Sequence, residues 1–246
     1  MSDPLRSVFF TLALICCIAS SISLLGQETT GVAVLESEIS LQRTKLTIVT
    51  SGTQESEQIL RQIASLLNQC GEIRFSAGEY DLATKSFVEA DVALKQYHTS
   101  AYARALADLA DAEKRLADFE KDPNPETRPI RIKIGRSLVG SVLSLVYDEA
   151  QSLQDEVGER TALTRLGEVA RADGDLSREA ESYEKIGQLE FNAGNTATAF
   201  DLFAKAQDLR KKEGKKEYWS IDYIAGARWS LGEYDTAIEL LRKRSS

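Results

Sequence analysis

The segments Gly78-Glu79-Tyr80-Asp81 and Gly232-Glu233-Tyr234-Asp235 have the same sequence and lie in the first and the last third of the chain. Each is followed at the same offset by an alanine, Ala83 or Ala237. A turn that recurs with its flanking pattern is typical of proteins built from repeated structural units. Such proteins present a binding surface more often than an active site. The two segments therefore predict repeated helical hairpins and a role in binding.

The composition of the 246-residue chain is that of a mostly helical protein. Hydrophobic residues make up 43% and aromatic residues 7%, there are only four prolines, and good helix formers such as alanine, leucine and glutamate are abundant. The net charge of -8 argues against a general nucleic-acid binder, because neutralising phosphates requires clustered lysine and arginine. We therefore expect an all-α protein that does not bind nucleic acid.

The N-terminal residues 1–26 differ from the rest of the chain. Residues 7–26 contain no charged side chain, Arg6 precedes them, and the next basic residue is Arg43. This asymmetry predicts a cytoplasmic N-terminus and an extracytoplasmic remainder, periplasmic or secreted. The segment fits a cleaved signal peptide with small residues at Ala19-Ser20-Ser21, or an uncleaved membrane anchor of about 20 residues.

The cysteines leave a further possibility for the same segment. Leu14-Ile15-Cys16-Cys17 resembles a bacterial lipoprotein signal, although Cys16 stands where a small residue is usual. Cys70 is the only cysteine beyond residue 26, so no internal disulfide is expected in the exported part. Since Cys70 lies on an apolar helical stripe, we expect it to be a small buried core residue.

Apolar periodicity predicts amphipathic helices along most of the chain. One helix is expected near 32–49, and a second ends near Ala77, where Gly78 provides a C-terminal stop. Later helices, separated by glycine-containing turns, are predicted near 159–172, 177–192, 196–211, 217–230 and 233–243. The nearly equal helix lengths predict antiparallel hairpins.

The middle of the chain is less regular. His98-Thr99-Ser100 is expected to form a turn before a helix over about 101–121. Residues 122–129 hold three of the four prolines and predict a loop, since proline is excluded from helix interiors. Isoleucines at every second position from 130 to 134 indicate a strand-like stretch, so we expect one helix with an irregular entry from about 136 to 156.

Three segments resemble tetratricopeptide repeats, a family whose 34-residue helix-turn-helix unit has small and aromatic residues at set positions. The segments are residues 64–97, 180–213 and 218–246. The matching residues in chain order are Gly71, Gly78, Tyr80, Ala83, Phe87, Ala90; Gly187, Gly194, Ala199, Phe203, Ala206; and Ala225, Gly232, Tyr234, Ala237, Leu241. The resemblance implies an antiparallel helix-hairpin solenoid, a superhelix, with Tyr80 and Tyr234 packed at helix junctions.

The proline-rich stretch predicts a division of the chain into two groups of hairpins. Residues 27–121 form the N-terminal group, residues 130–246 the C-terminal group, and the proline-rich loop 122–129 lies between them. The family's usual proline after the second helix is absent from all three units, and residues 98–157 match poorly. We interpret that stretch as divergent hairpins, because solenoid units need neighbours to cover their apolar faces.

In this family the first helix of each unit lines a concave groove, which implies a protein-binding surface in this chain. By position, the groove-facing candidates are Asn68, Glu72, Phe75, Glu184, Gln188, Phe191, Asp222, Gly226 and Trp229. An aromatic residue recurs at Phe75, Phe191 and Trp229, and the alternative interpretation is that these rings are inter-repeat core.

A subset of the family binds C-terminal carboxylates through Lys, Arg and Asn in the groove. The corresponding positions here contain no Lys or Arg, so we predict no carboxylate clamp and a groove that suits a basic or amphipathic partner segment. Glu190 and Arg228 stand where the family has apolar residues, and they are either an inter-repeat ion pair or two solvated charges.

The sequence contains little material for catalysis. His98 is the only histidine, and neither a Gly-rich phosphate loop nor a metal-spaced cysteine pair is present. We therefore expect no catalytic residues, no metal and no cofactor. The leading hypothesis is a non-catalytic protein-interaction scaffold, exported or membrane-tethered. The alternatives are a structural, self-associating component of an envelope assembly and a helical ligand-sensor domain.

Overall fold

The computed structural model describes residues 31–214 and 218–244, and all regular structure in these ranges is helical. Nine helices and no strand occur there, so the predicted all-α class is confirmed. The predicted signal peptide or anchor, residues 1–26, lies outside the described residues. Within the described part, no helix combines the length and the apolar character that crossing a bilayer requires.

The helices follow one another with short connections. In chain order they are α1 (31–48), α2 (Gln54–Ser76), α3 (Tyr80–Glu120), α4 (Arg128–Ser152), α5 (Glu156–Asp173), α6 (Leu176–Asn192), α7 (Thr196–Lys212), α8 (Tyr218–Ser230) and α9 (Tyr234–Arg244). The predicted bounds of α1 and of α5 to α9, and the predicted end of α2, agree with the structure to within about three residues, the usual uncertainty of helix ends.

Side-chain caps and a left-handed glycine define several helix ends. Thr53, Asp155 and Asp175 accept hydrogen bonds from backbone N–H groups in the first turns of α2, α5 and α6, which would otherwise be unsatisfied. Gly174 ends α5 with a φ of 72°, a conformation that side chains disfavour. These local signals explain why the sequence pattern locates the helices of the C-terminal half well.

The predicted turn at His98-Thr99-Ser100 is wrong, because α3 runs without interruption through these residues for 41 residues. None of the three is glycine or proline, so nothing in the backbone requires a break. The Thr99 hydroxyl donates to the Lys95 carbonyl at 2.8 Å, which lets a polar residue lie on the exposed face of a helix.

The predicted irregular entry to α4 is also wrong, since a regular helix begins at Arg128 with proline in its first turn. Proline is tolerated there because the first helical N–H groups have no intrahelical partner. Ile130 and Ile134 are exposed. Buried Gly135 and Val139 are instead the first members of a helical periodicity that overrides the alternating pattern.

The described chain forms two compact units, with the boundary after Ala101. The core of unit 1 joins α1, α2 and α3, and Ile39, Ile63, Leu67 and Cys70 are buried in it. Burial raises the pKa of the Cys70 thiol, so the thiolate is disfavoured, as expected for a core cysteine. The predicted burial of Cys70 is therefore confirmed.

Unit 2 contains two further apolar clusters. One joins the last part of α3 to α4 and α5 around Leu109, Leu143 and Val146. The other joins α7 and α8 around Phe203 and Ala227. Residues 122–127 of the predicted proline-rich loop connect α3 to α4, whereas Arg128 and Pro129 belong to the first turn of α4, and the whole stretch lies inside unit 2.

Two hairpins, α2–α3 and α6–α7, use the same close contact between a glycine and an aromatic ring. A Cβ atom added to Gly187 would lie 2.6 Å from Phe203 Cε1, and one added to Gly71 would lie 2.5 Å from Phe87 Cε1. Ala83 of α3 and Ala199 of α7, in the same two hairpins, are almost completely and completely buried. Small residues thus set the helix separation in both hairpins.

Candidate functional site

A cleft of about 510 Å³ opens between α4 and α6 above α5 in unit 2. The α4 side extends from Lys133 to Asp148, about 22 Å at the rise of an α-helix. The lining residues of α4 recur at helical spacing and therefore form one continuous wall. The opposite wall is the first half of α6, from Arg178 to Lys185.

The floor of the cleft is apolar, while the middle of the α4 wall consists of small residues. Leu163, Leu166 and Val169 of α5 form the floor. In the wall, the Ser141 hydroxyl donates to the Ser137 carbonyl at 2.9 Å, and Ser144 donates in the same way to Gly140 at 3.1 Å. These hydroxyls are therefore engaged by their own helix.

Charged side chains of both signs surround the cleft in equal number. The cationic residues are Lys133, Arg136, Arg178 and Lys185, and the anionic residues are Asp148, Asp173, Asp175 and Glu181. Three ion pairs join members of the two groups: Arg136 with Asp173 at 3.3 Å, Arg178 with Asp175 at 3.5 Å, and Lys185 with Glu181 at 3.1 Å. The charges of these eight rim residues therefore balance.

Lys185 connects the two walls at one end of the cleft. Its ammonium nitrogen lies 4.8 Å from the centre of the Tyr147 ring, within the range of a cation–π interaction. Burial lowers the pKa of Lys185, but the hydrogen bond and charge of Glu181, together with Tyr147 and Asp148, outweigh burial and raise it. Lys185 is therefore a permanent cation at this end.

The predicted groove residues of α6 do not line the cleft. Glu184 is buried and binds Arg210 of α7 at 3.1 Å, and the same guanidinium donates to the Ser177 hydroxyl at 2.7 Å. Phe191 is partly buried against the cluster that contains Phe203, which agrees with the core interpretation of this ring. Gln188 donates to Asn192 on its own helix at 2.8 Å.

The hypothesis of an ion pair between Glu190 and Arg228 is wrong. Glu190 binds Arg160 of α5 at 2.9 Å and accepts a hydrogen bond from Asn195 at 2.7 Å. Arg228 binds Glu233 instead, and its guanidinium lies 4.6 Å from the centre of the Phe200 ring. Arg160 could not be assigned to Glu190 from sequence, because it lies outside the matching repeat segments.

The remaining predicted groove residues lie on α2 and α8. Asn68 and Asp222 are partly buried, and Glu72 is exposed. Gly226 is also exposed. Unlike Phe191, the rings of Phe75 and Trp229 are each more than half exposed. Two of the three recurring aromatic residues are thus surface residues.

Each exposed ring contacts the tyrosine of the adjacent repeated turn. Phe75 and Tyr80 meet edge to face with centres 5.3 Å apart and an interplanar angle of 70°, and Trp229 and Tyr234 do so at 4.8 Å and 71°. Each tyrosine therefore contacts a ring of the preceding helix at its junction. All four rings remain more than half exposed.

The repeated sequence is longer than the four residues that identify it. Residues 74–83 and 228–237, which we call the first and second twin turn, share arginine, serine, glycine, glutamate, tyrosine, aspartate and alanine at equivalent positions, with Phe75 matched by Trp229. In both, the glycine N–H bonds the aromatic residue's carbonyl at 3.0 Å. Gly78 and Gly232 both have a φ of 80°. The two backbones are therefore equivalent.

The arginine of the two twin turns has different partners. Arg228 binds Glu233 within its own turn. Arg74, the equivalent residue, binds Glu36 of α1 and donates to the Ser86 hydroxyl of α3 at 2.8 Å. The sequence shows an arginine at both positions. Which carboxylate each arginine binds depends on the helix that packs beside it.

The sequence interpretation missed the α4 wall of the cleft. Its signal was a column of small residues, Ser137, Gly140, Ser141 and Ser144, opposite the apolar stripe that α4 buries. This column lies in the stretch with the weakest family resemblance. Across residues 31–214 and 218–244, no group of three or more His, Cys, Asp or Glu side chains is arranged to hold a metal ion.

Comparison of the chain with known proteins gives no relative to argue from. No family model, no curated protein and no solved structure matches it. Inferences about its function therefore rest on the cleft and the twin turns.

Proposed function

We propose that the chain is a non-catalytic protein-interaction scaffold of tetratricopeptide-repeat type, and that its cleft binds an amphipathic segment of a partner protein. The observation that carries the proposal is the cleft itself, which has an apolar floor and a rim with equal numbers of cations and anions. Binding sites commonly combine apolar lining with a few polar groups that set orientation.

The dimensions of the cleft favour an extended polypeptide. A length of about 22 Å accommodates six or seven extended residues, since each contributes up to about 3.3–3.6 Å. Alternate side chains of such a segment point in opposite directions. An alternating apolar and charged sequence would place one set against Leu163, Leu166 and Val169 and the other set at the rim.

The repeat organisation supports the same proposal. The hairpins α2–α3 and α6–α7 share the glycine-to-ring contact, and the twin turns share their backbone hydrogen bonds. Repeated hairpins that stack into a solenoid create long concave surfaces for partner binding. Export or membrane tethering through residues 7–26 is a separate part of the proposal, supported by the sequence alone.

Two serines on α4 allow a matched test. Ser141 lies in the cleft wall, whereas Ser152 lies outside the cleft lining, and each donates its hydroxyl to the carbonyl four residues earlier at 2.9 Å. Heptapeptides would be selected from a random library on the wild-type chain, and their affinities measured for Ser141→Trp and Ser152→Trp. We expect alternating sequences, a loss of at least tenfold for Ser141→Trp and no change for Ser152→Trp.

Failure of the library to yield any peptide, or equal binding by both serine variants, would contradict the cleft as the docking site. Circular dichroism of both variants checks that the added indole has not disturbed the fold. Crosslinked pulldown of the full chain from intact cells, compared with Ser141→Trp, would then report the partner and the compartment together.

A self-associating component is the second candidate function, and one observation favours it. The hairpin α8–α9 exposes Trp229, Leu231, Tyr234 and Ile238 to solvent. Exposed apolar side chains that are grouped on one hairpin can mark an association surface. Light scattering over a hundredfold concentration range distinguishes the candidates, because a constant monomer mass contradicts self-association and leaves the scaffold proposal intact.

A further inference from the structure

The first twin turn exposes an aromatic surface beside carboxylates that have no ion-pair partner among residues 31–214 and 218–244. Phe75 and Tyr80 are 59% and 61% exposed and meet edge to face, so neither ring is covered by the core. Glu72, Glu79 and Asp81 are exposed on the same turn and its flanking helix ends. None of the three has an ion pair within the described residues.

The second twin turn shows what an arginine does in this setting. There, the Arg228 guanidinium binds Glu233 and lies over the Phe200 ring at 4.6 Å. A planar guanidinium both pairs with a carboxylate and stacks on an aromatic face. The second twin turn therefore already pairs its glutamate with an arginine, and that guanidinium stacks on a ring of the preceding helix α7, outside the repeated residues.

In the first twin turn the equivalent arginine is held elsewhere. Arg74 points to Glu36 of α1 and to Ser86 of α3, and its side chain is only 17% exposed. Glu79 has the same backbone environment as Glu233, because its N–H bonds the Arg74 carbonyl at 2.8 Å and Glu233 bonds Arg228 at 2.9 Å. The two glutamates thus make the same backbone hydrogen bond, but only Glu233 is paired with the arginine of its turn.

We propose that the first twin turn is a docking surface for an arginine side chain of a partner polypeptide, held by Glu79 and by the rings of Phe75 and Tyr80. Charge complementarity selects the cation, since the three exposed carboxylates each lie within three positions of Phe75 or Tyr80 in the chain. The aromatic pair selects arginine over lysine, because the flat guanidinium stacks on a ring and the ammonium is more strongly hydrated. This surface lies in unit 1 and does not depend on the cleft of unit 2.

The proposal predicts that Glu36 of α1 affects the affinity of the surface for arginine. If Glu36 is neutralised, Arg74 loses its ion-pair partner on α1 and becomes able to bind Glu79, as Arg228 binds Glu233. Glu36→Gln should therefore weaken arginine binding although residue 36 does not contact the bound peptide. A surface that depended only on nearby negative charge would respond equally to any lost carboxylate.

The test uses the full chain and two fluorescent octapeptides with alternating glycine, one containing four arginines and the other four lysines. Binding is measured by anisotropy at low and at physiological salt. We expect tighter binding of the arginine peptide and a loss of fivefold or more for Phe75→Ala, Glu79→Gln and Glu36→Gln. The matched controls Trp229→Ala and Glu233→Gln in the second twin turn should change the affinity less than twofold.

Equal affinities for the two peptides would overturn the selection of arginine. Equal losses for Glu79→Gln and Glu233→Gln would overturn the assignment to the first turn, because a general attraction to the acidic chain predicts that result. Ser141→Trp should leave the affinity for the arginine peptide unchanged. The cleft proposal and this proposal can therefore fail independently of each other. Glu36→Asp, which retains the charge, should bind like the wild type.

Discussion

The Cα hydrogens of Gly187 face the ring of Phe203 so closely that a Cβ atom would lie 2.6 Å from Cε1. Phe203 is fully buried and stacks on Tyr223, with ring centres 5.5 Å apart, so its ring cannot move aside without disturbing α8. The contact joins three consecutive helices of unit 2. It makes the helix separation sensitive to a single methyl group.

Gly187→Ala should therefore destabilise the protein by about 1–3 kcal/mol, the usual cost of overpacking a core. Gly140→Ala is the matched control, because its Cβ would meet Val169 at an ordinary 3.8 Å. Alanine is the better helix former by about 1 kcal/mol, so Gly140→Ala should be neutral or stabilising. Urea unfolding of both variants measures the difference, and equal midpoints would contradict the packing argument.

Removing Arg210 should cost about 3–5 kcal/mol, because the buried Glu184 carboxylate would lose the guanidinium that pairs with it. The two side chains are only 13% and 4% exposed. The double variant Glu184→Leu/Arg210→Leu should be more stable than Arg210→Leu alone. Arg115→Gln, which breaks the exposed pair with Asp111, should change the stability by less than about 0.5 kcal/mol. A double variant no more stable than the single one would argue against a buried-charge penalty.

Glu159→Gln should stabilise the protein at neutral pH. Burial raises the pKa of Glu159 above its ordinary value of 4.5, and the charges of Glu156 and Asp155 raise it further. The folded state therefore favours the protonated carboxyl, and the wild type loses stability relative to glutamine as the pH rises through this raised pKa. Thermal unfolding from pH 3 to pH 8 tests this. The advantage of the variant should grow with pH and disappear below about pH 4, where the carboxyl is protonated in both states.

Alanine substitutions at two glycines of the last hairpin should change the stability of the protein in opposite directions. A Cβ at Gly226 or at Gly232 would meet no atom within 4 Å, so packing does not distinguish them. Gly232 has a φ of 80°, which costs an L-residue about 1–2 kcal/mol. Gly226 lies inside α8, where alanine should gain up to about 1 kcal/mol. Melting temperatures that shift in the same direction for both variants would show that this backbone argument fails.

The helices were predictable wherever local chemistry marks their ends. Thr53, Asp155 and Asp175 cap helices, and glycine ends α5, so pattern and backbone agree there. The turn expected at His98 and the irregular entry expected at Ile130 failed because polar or alternating residues do not break a helix whose buried face remains periodic.

The candidate sites were less predictable because side-chain partners depend on neighbouring helices. Glu184 was assigned to a groove by its position in a repeat, but Arg210 of the next helix binds it. The exposure of Phe75 and the burial of Phe191 likewise follow from which helix packs on each ring. The sequence position of each residue predicts its helix face, but the contacts of that face depend on how the neighbouring helices pack.

The serine-lined wall of the cleft has a consequence for the selectivity of whatever lies against it. Because the Ser141 and Ser144 hydroxyls already donate to carbonyls of α4, the middle of the wall directs no hydroxyl proton at a bound chain. A segment shifted along that wall would therefore exchange one set of van der Waals contacts for a similar one. Partners with tandem copies of a short motif would bind in several overlapping frames, and their affinity would increase with the number of frames.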